Sequence, residues 1–138
     1  MGTFRITVEI GDQNAQNFQE VVALVDTGAT FTKVPRPVLE ALEVPADRTY
    51  TALLADGRRV PRELGWATIR LEGQQFPTPV AFGEEEEPTL LGAMALEHAL
   101  LAVDPHGQRL MPVDALEMTN FDEKDLRLSL AETARRPL

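Results

Sequence analysis

Five apolar residues, Val21 to Val25, run without interruption into Asp26-Thr27-Gly28-Ala29-Thr30. So short an apolar run reads as a buried strand, and a carboxylate at its end loses hydration unless donors or a shared proton support it. Gly28 lets backbone approach closely, and Thr27 offers a hydroxyl without adding charge. Together they can hold the acid rigidly at the floor of a cleft. The plainer reading is a strand-to-turn corner in which Asp26 caps backbone amides.

Composition narrows the chemistry that such an acid could serve. The chain has 138 residues, enough for one domain with one core. It has no Cys, and Ser129 is its single serine, far from any glycine elbow, so thiol and serine nucleophiles are excluded. His98 and His106 form no HExxH pattern, so a dedicated zinc site is not expected, and hydrolytic chemistry would fall to carboxylates. With 22 acidic against 13 basic residues and a net charge of −9, a nucleic-acid partner is not expected. No stretch approaches the roughly 20 apolar residues of a membrane helix, so no membrane partner is expected either. The amino terminus lacks the charged-then-apolar run of a secretory signal, and with no Cys the expected location is cytoplasmic.

Around the acid, the pattern is mostly β. Residues 3–10 (TFRITVEI) alternate with a period of two, and residues 11–17 supply the turn into the apolar run. Pro35 and Pro37 introduce a helix of about two turns over Val38, Leu39, Leu42 and Val44 that stops before Pro45. Residues 49–54 and 60–71 read as strands joined by Ala55-Asp56-Gly57-Arg58, where Asp-Gly signals a tight hairpin. A second hairpin turns at Glu72-Gly73-Gln74 into residues 76–82, with Pro61, Pro77 and Pro79 favouring edges or bends. The run Glu84 to Glu87 reads as a solvated loop, or as a wall favouring basic peptides. Leu90-Leu91-Gly92 suggests a strand turning into a buried helix over residues 93–101 that packs His98, and residues 109–113 a closing strand. Residues 114–138 form a C-terminal extension: Asn120 and Glu123 suit a capping box for a helix, while Leu126, Leu128 and Leu130 also fit strand alternation.

The ordered set of Asp26-Thr27-Gly28-Ala29, the hairpin at residues 51–63, Leu90-Leu91-Gly92, a short helix and a final strand resembles the retropepsin-like (clan AA) aspartic proteases, of the cellular type with a single DTGA. The resemblance covers most of residues 1–113. It implies a mostly β acid-protease barrel protomer with one or two short helices, and an aspartic endopeptidase needing no cofactor. It also implies a homodimer, because two facing carboxylates are required and each chain has one DTG. Asp26 would be the catalytic acid, with Thr27 bonding across the two-fold axis and Gly28 supporting the loop. Gly28 and Ala29 would line the peptide substrate, and Ala55, Asp56, Gly57 and Arg58 would form the tip of a flap over it. Leu90-Leu91-Gly92 would cross behind the catalytic loop.

Three departures from the viral pattern stand out. Ala93 follows Gly92 where viral enzymes carry an Arg, the flap tip is not glycine-rich, and the chain extends past residue 113. Two rival readings keep the fold and drop the chemistry: a catalytically silent dimeric barrel that binds extended peptides or a protein partner, and a scaffold whose working part is the extension.

Overall fold

The structure, a computed structural model, describes residues 4–135. Thr3, expected to open the first strand, and residues 136–138 of the expected extension lie outside them. The fold is mostly β. Strand β1 (Arg5–Gly11) and strand β2 (Phe18–Val25) form the expected hairpin, in register from Arg5 opposite Leu24 to Gly11 opposite Phe18. Period two in β1 buries Val8 and Ile10 and turns Arg5 and Thr7 outward, as alternation requires.

After residue 31 come strand β3 (Thr32–Pro35), helix α1 (Arg36–Ala41), strand β4 (Ala46–Leu53), strand β5 (Arg59–Leu71) and strand β6 (Gln74–Gly83). Strand β7 (Thr89–Leu91) leads into helix α2 (Ala93–His98), and strands β8 (Leu101–Asp104) and β9 (Arg109–Pro112) pair as a separate hairpin. The main sheet runs β1-β2-β7-β3-β6-β5-β4, and an added β1–β5 pairing closes it into a barrel with β4 outside the ring. Ile10, Ala23, Val34, Leu39, Ile69, Val80, Leu91 and Ala95 are fully enclosed within it. Closure flanks the end of β2 on both sides, Ala23 and Leu24 pairing with β1 and, in parallel, Ala23 to Val25 with β7; of the apolar run, Ala23 and Val25 are buried and Val22 is exposed.

The prolines sit where the sequence suggests. Pro61 lies in β5 beyond the stretch paired with β6, and Pro77 and Pro79 lie in β6 before the stretch paired with β3. Each therefore has a neighbouring strand on one side only, so its missing N–H leaves no gap in a ladder.

Three expectations need correction. Strand β3 is not signalled in the sequence; it exists because parallel β6 and antiparallel β7 flank it. Helix α2 ends at His98 instead of reaching residue 101, because Leu100 takes a left-handed φ of 56° and its N–H closes on the Glu97 carbonyl. His98 is packed as expected, stacked on Phe76 with ring centroids 4.6 Å apart, although the residue remains exposed. In the C-terminal segment the open choice resolves as helix α3 (Glu123–Arg135). Its reciprocal capping bonds join Asp122 and Asp125, each side chain accepting from the other's N–H, two residues later than the expected box. Helix α3 buries no residue, and Leu126, Leu128 and Leu130 are exposed on it. Among the described residues, no helix is long and apolar enough to cross a membrane.

Candidate active site

Strand β2 delivers Asp26 to one end of the barrel, where two other parts of the chain fix it. The Asp26 N–H donates to the Leu91 carbonyl at 3.0 Å, extending the β2–β7 ladder by one bond beyond the strand. Gly28 N–H donates to Asp26 Oδ1 at 2.9 Å, and Ala29 N–H closes the turn on the Asp26 carbonyl at 3.2 Å. The carboxylate is thus oriented by backbone and remains half-buried, while Thr27 and Gly28 are exposed beside it.

Behind this loop stands the start of α2. A helix begins with N–H groups that have no partner in the helix, and here Ala93 and Met94 donate theirs to the carbonyls of Ala29 and Thr30 at 2.7 and 3.1 Å. Gly92 N–H donates to the buried Thr32 Oγ1 at 3.1 Å. A Cβ on Gly92 would stand 2.5 Å from the Phe31 carbonyl group, so only glycine permits this approach. The Leu90-Leu91-Gly92 element therefore does lie against the Asp26 loop.

Over the loop lies the β4–β5 hairpin. Its tip closes on itself: Leu54 N–H to the Arg58 carbonyl at 2.8 Å, and Gly57 N–H to the Leu54 carbonyl at 2.9 Å, with Gly57 at φ 88°. Asp56 accepts from the Arg58 backbone N–H and Nε at 3.0 and 2.8 Å. Those two bonds, the backbone one foremost, hold its carboxyl below the ordinary range.

Between loop and hairpin is an open cleft of about 760 Å³. Of the residues singled out in the sequence, Asp26, Gly28, Ala29 and Ala55 line it together. Thr27, Asp56, Gly57 and Arg58 fall outside its lining; Asp56 and Arg58 are engaged with each other. The sequence reading misses Phe31, Lys33 and Tyr50 and takes Arg62 for part of a solvated strand face; all four line the cleft. A two-residue turn at Asp56-Gly57 would set Tyr50 opposite Glu63; the tip instead holds three residues between Leu54 and Arg58, and the register sets Tyr50 opposite Arg62.

The glutamate run is not simply solvated. Glu87 is drawn inward to Lys33 Nζ at 2.6 Å and Arg62 Nη1 at 3.5 Å. Burial alone would raise its pKa, but the Lys33 hydrogen bond, the Glu84 N–H and the two cations together lower it. Burial raises the Tyr50 hydroxyl above its usual value, against a smaller opposing effect of Arg62. Among the described residues, no three His, Asp or Glu side chains are grouped as metal ligands would be.

Comparison with known proteins agrees with this geometry. The family described as aspartyl protease matches residues 6–95. Among solved structures, EIAV protease complexed with the inhibitor HBY-793 is similar with a TM-score of 0.50 and 22% identity, over 71% of this chain and 88% of that one. Simian foamy virus (mac) protease gives 0.48 and 22%, over 67% and 91%. The retroviral protease-like domain of Ddi1 from Leishmania major gives 0.49 and 14%, over 79% and 86%. No curated protein sequence matches the chain.

Proposed function

The chain belongs to the aspartyl protease family, and from that premise we propose that it hydrolyses peptide bonds as a homodimer with one Asp26 from each copy facing the other. The observation that carries this reading is a carboxylate oriented by the Gly28 N–H, on a loop fixed from behind by Leu91 and Gly92, and opening into a peptide-sized cleft. One chain holds one Asp-Thr-Gly, so the second carboxylate comes from a second copy across a two-fold axis. Two carboxylates in contact cannot both be ionised and share one proton. The ionised member takes a proton from a water placed between them, and the neutral one donates to the scissile carbonyl as the tetrahedral centre forms.

Residues 1–113 constitute the protomer, with residues 114–138 an extension. Thr27 bonds to its mate across the axis. Gly28 and Ala29 run along the peptide backbone, and the β4–β5 hairpin, with Ala55 to Arg58 at its tip, is the flap. A peptide entering in extended form adds its backbone to these edges. The mechanism calls for no metal or cofactor. A chain with no cysteine gains nothing from an oxidising compartment, which supports a cytoplasmic location.

The test is digestion of an unstructured peptide library by the full chain from mildly acidic to neutral pH, with Asp26→Asn alongside and the association state measured by sedimentation. Cleavage by the wild type, slowed about 10²–10⁴-fold or more in Asp26→Asn, supports the reading. Silence from a folded dimer of both forms would instead favour a peptide-binding barrel.

A further inference from the structure

Lys33 and Arg62 reach the same cleft as Asp26 from different strands, β3 and β5. Their side chains are only 18% and 15% exposed, so they are set into the wall. Their counter-charge comes from behind it. Glu87 takes Lys33 at 2.6 Å and Arg62 at 3.5 Å, and Glu84 stands 3.8 Å from Arg62, yet neither glutamate lines the cleft. Glu84 is 71% exposed, so its pairing is weak. Two fixed cations therefore share one close anion, and Lys33 has the shorter bond.

Arg62 is left the less satisfied of the two. Its guanidinium is a planar fork of five donors, and its hydrogen bond among the described residues is the single long one to Glu87. No sealed side-chain polar atom among the described residues lacks a partner, so its remaining donors reach solvent, and Arg62 lines both the cleft and a smaller hollow beside Arg36, Glu63 and Glu84. Beside it, Tyr50 adds a hydroxyl, its ring held edge-on against Phe31 at 5.0 Å. A carboxylate arriving here meets a guanidinium able to bind it through two parallel bonds. A lysine meets two cations, and an apolar side chain strips water from an ion without replacing it.

We propose that Arg62, Lys33 and Tyr50 form a subsite for an acidic side chain of the substrate, so that peptides with Glu or Asp at one fixed position are selected. This rests on the cleft being the peptide site proposed above. It also reverses the expectation that the glutamate run favours basic peptides, because Glu87 is already engaged with Lys33 and Arg62.

Binding to the full chain carrying Asp26→Asn tests this without turnover. Octapeptides capped at both ends, with one Glu moved along a neutral sequence, are compared with Gln and Lys series by fluorescence anisotropy. At one position Glu should bind about 10-fold tighter than Gln, and Lys weaker than either. Adding Arg62→Gln should remove the Glu preference, and raising salt from about 50 to about 500 mM should shrink it without any further variant. No positional preference, a preference that survives both Arg62→Gln and high salt, or a gain confined to peptides with a free C-terminal carboxylate would overturn the proposal. Cleavage of the same peptides by the unsubstituted chain separates the two ideas. Cleavage without a Glu preference sinks the subsite alone, whereas a Glu preference in binding without any cleavage sinks the protease reading alone.

Discussion

The floor and the roof of the cleft are both strands running into a glycine-bearing turn, and they are held by opposite means. The floor, residues 26–32, closes its turn on Asp26 and is tied in addition to Leu91, Gly92, Ala93 and Met94, far along the chain. The roof, at Leu54 to Arg58, is closed by bonds among its own five residues, and Leu53 beside it is 73% exposed. Long-range bonds to buried backbone hold a group through any motion short of unfolding, while a turn tied only to itself can move as a unit. The acid thus belongs to the part tied across the chain, and the hairpin tip to the part tied only to itself. Contacts cross between them: Phe31 of the floor lies edge-on against Tyr50 of the roof hairpin, and Glu87 links Lys33, just past the floor loop, to Arg62 on that hairpin.

The same substitution at two glycines would break or sharpen this contrast. Gly92→Ala forces a methyl to within 2.5 Å of the Phe31 carbonyl group. It should lower stability by on the order of 3 kcal/mol, read as a shift of the urea midpoint. Next comes Thr32→Val, which keeps the shape but leaves the buried Gly92 N–H without its acceptor. Urea melts should show a loss of about 2 kcal/mol. In the roof, Gly57→Ala meets nothing within 4 Å and suffers only its positive φ, so about 1 kcal/mol is expected. Equal losses at Gly92 and Gly57 would erase the distinction.

The smallest effect concerns the link. Because the Glu87 pKa is lowered on folding, its contribution is present above the ordinary value of 4.5 and fades as pH falls through the lower folded value. Glu87→Gln should therefore melt below the wild type near neutral pH and converge with it in acid. A gap that persists unchanged in acid would show that the link does not depend on the Glu87 charge.

Much of the floor was legible before the fold. The apolar run into Asp26-Thr27-Gly28 and the Leu90-Leu91-Gly92 element each carry a local signature, and the structure places them against each other. Period two marked β1, and Asp56-Gly57 marked the hairpin tip. What escaped depends on partners distant in sequence. Residues 32–35 carry no strand pattern of their own and become β3 only between β6 and β7. Glu87 looks like any glutamate in a charged run until folding brings Lys33 and Arg62 to it. Helix α3 was ambiguous because Leu126, Leu128 and Leu130 suit two periods, and the bonds between Asp122 and Asp125 decide it.

The hydrogen bond from Gly92 to Thr32 spans 60 residues, and β2 meets β7 across a similar stretch. During synthesis, Asp26 emerges well before the residues that orient it, and contacts so distant in sequence close late. A nascent chain, or one cut short before β7, carries the acid without the organised loop. Organisation of the Asp26 loop is thus timed by completion of the barrel, so that the carboxylate is oriented only after the chain around it has finished folding.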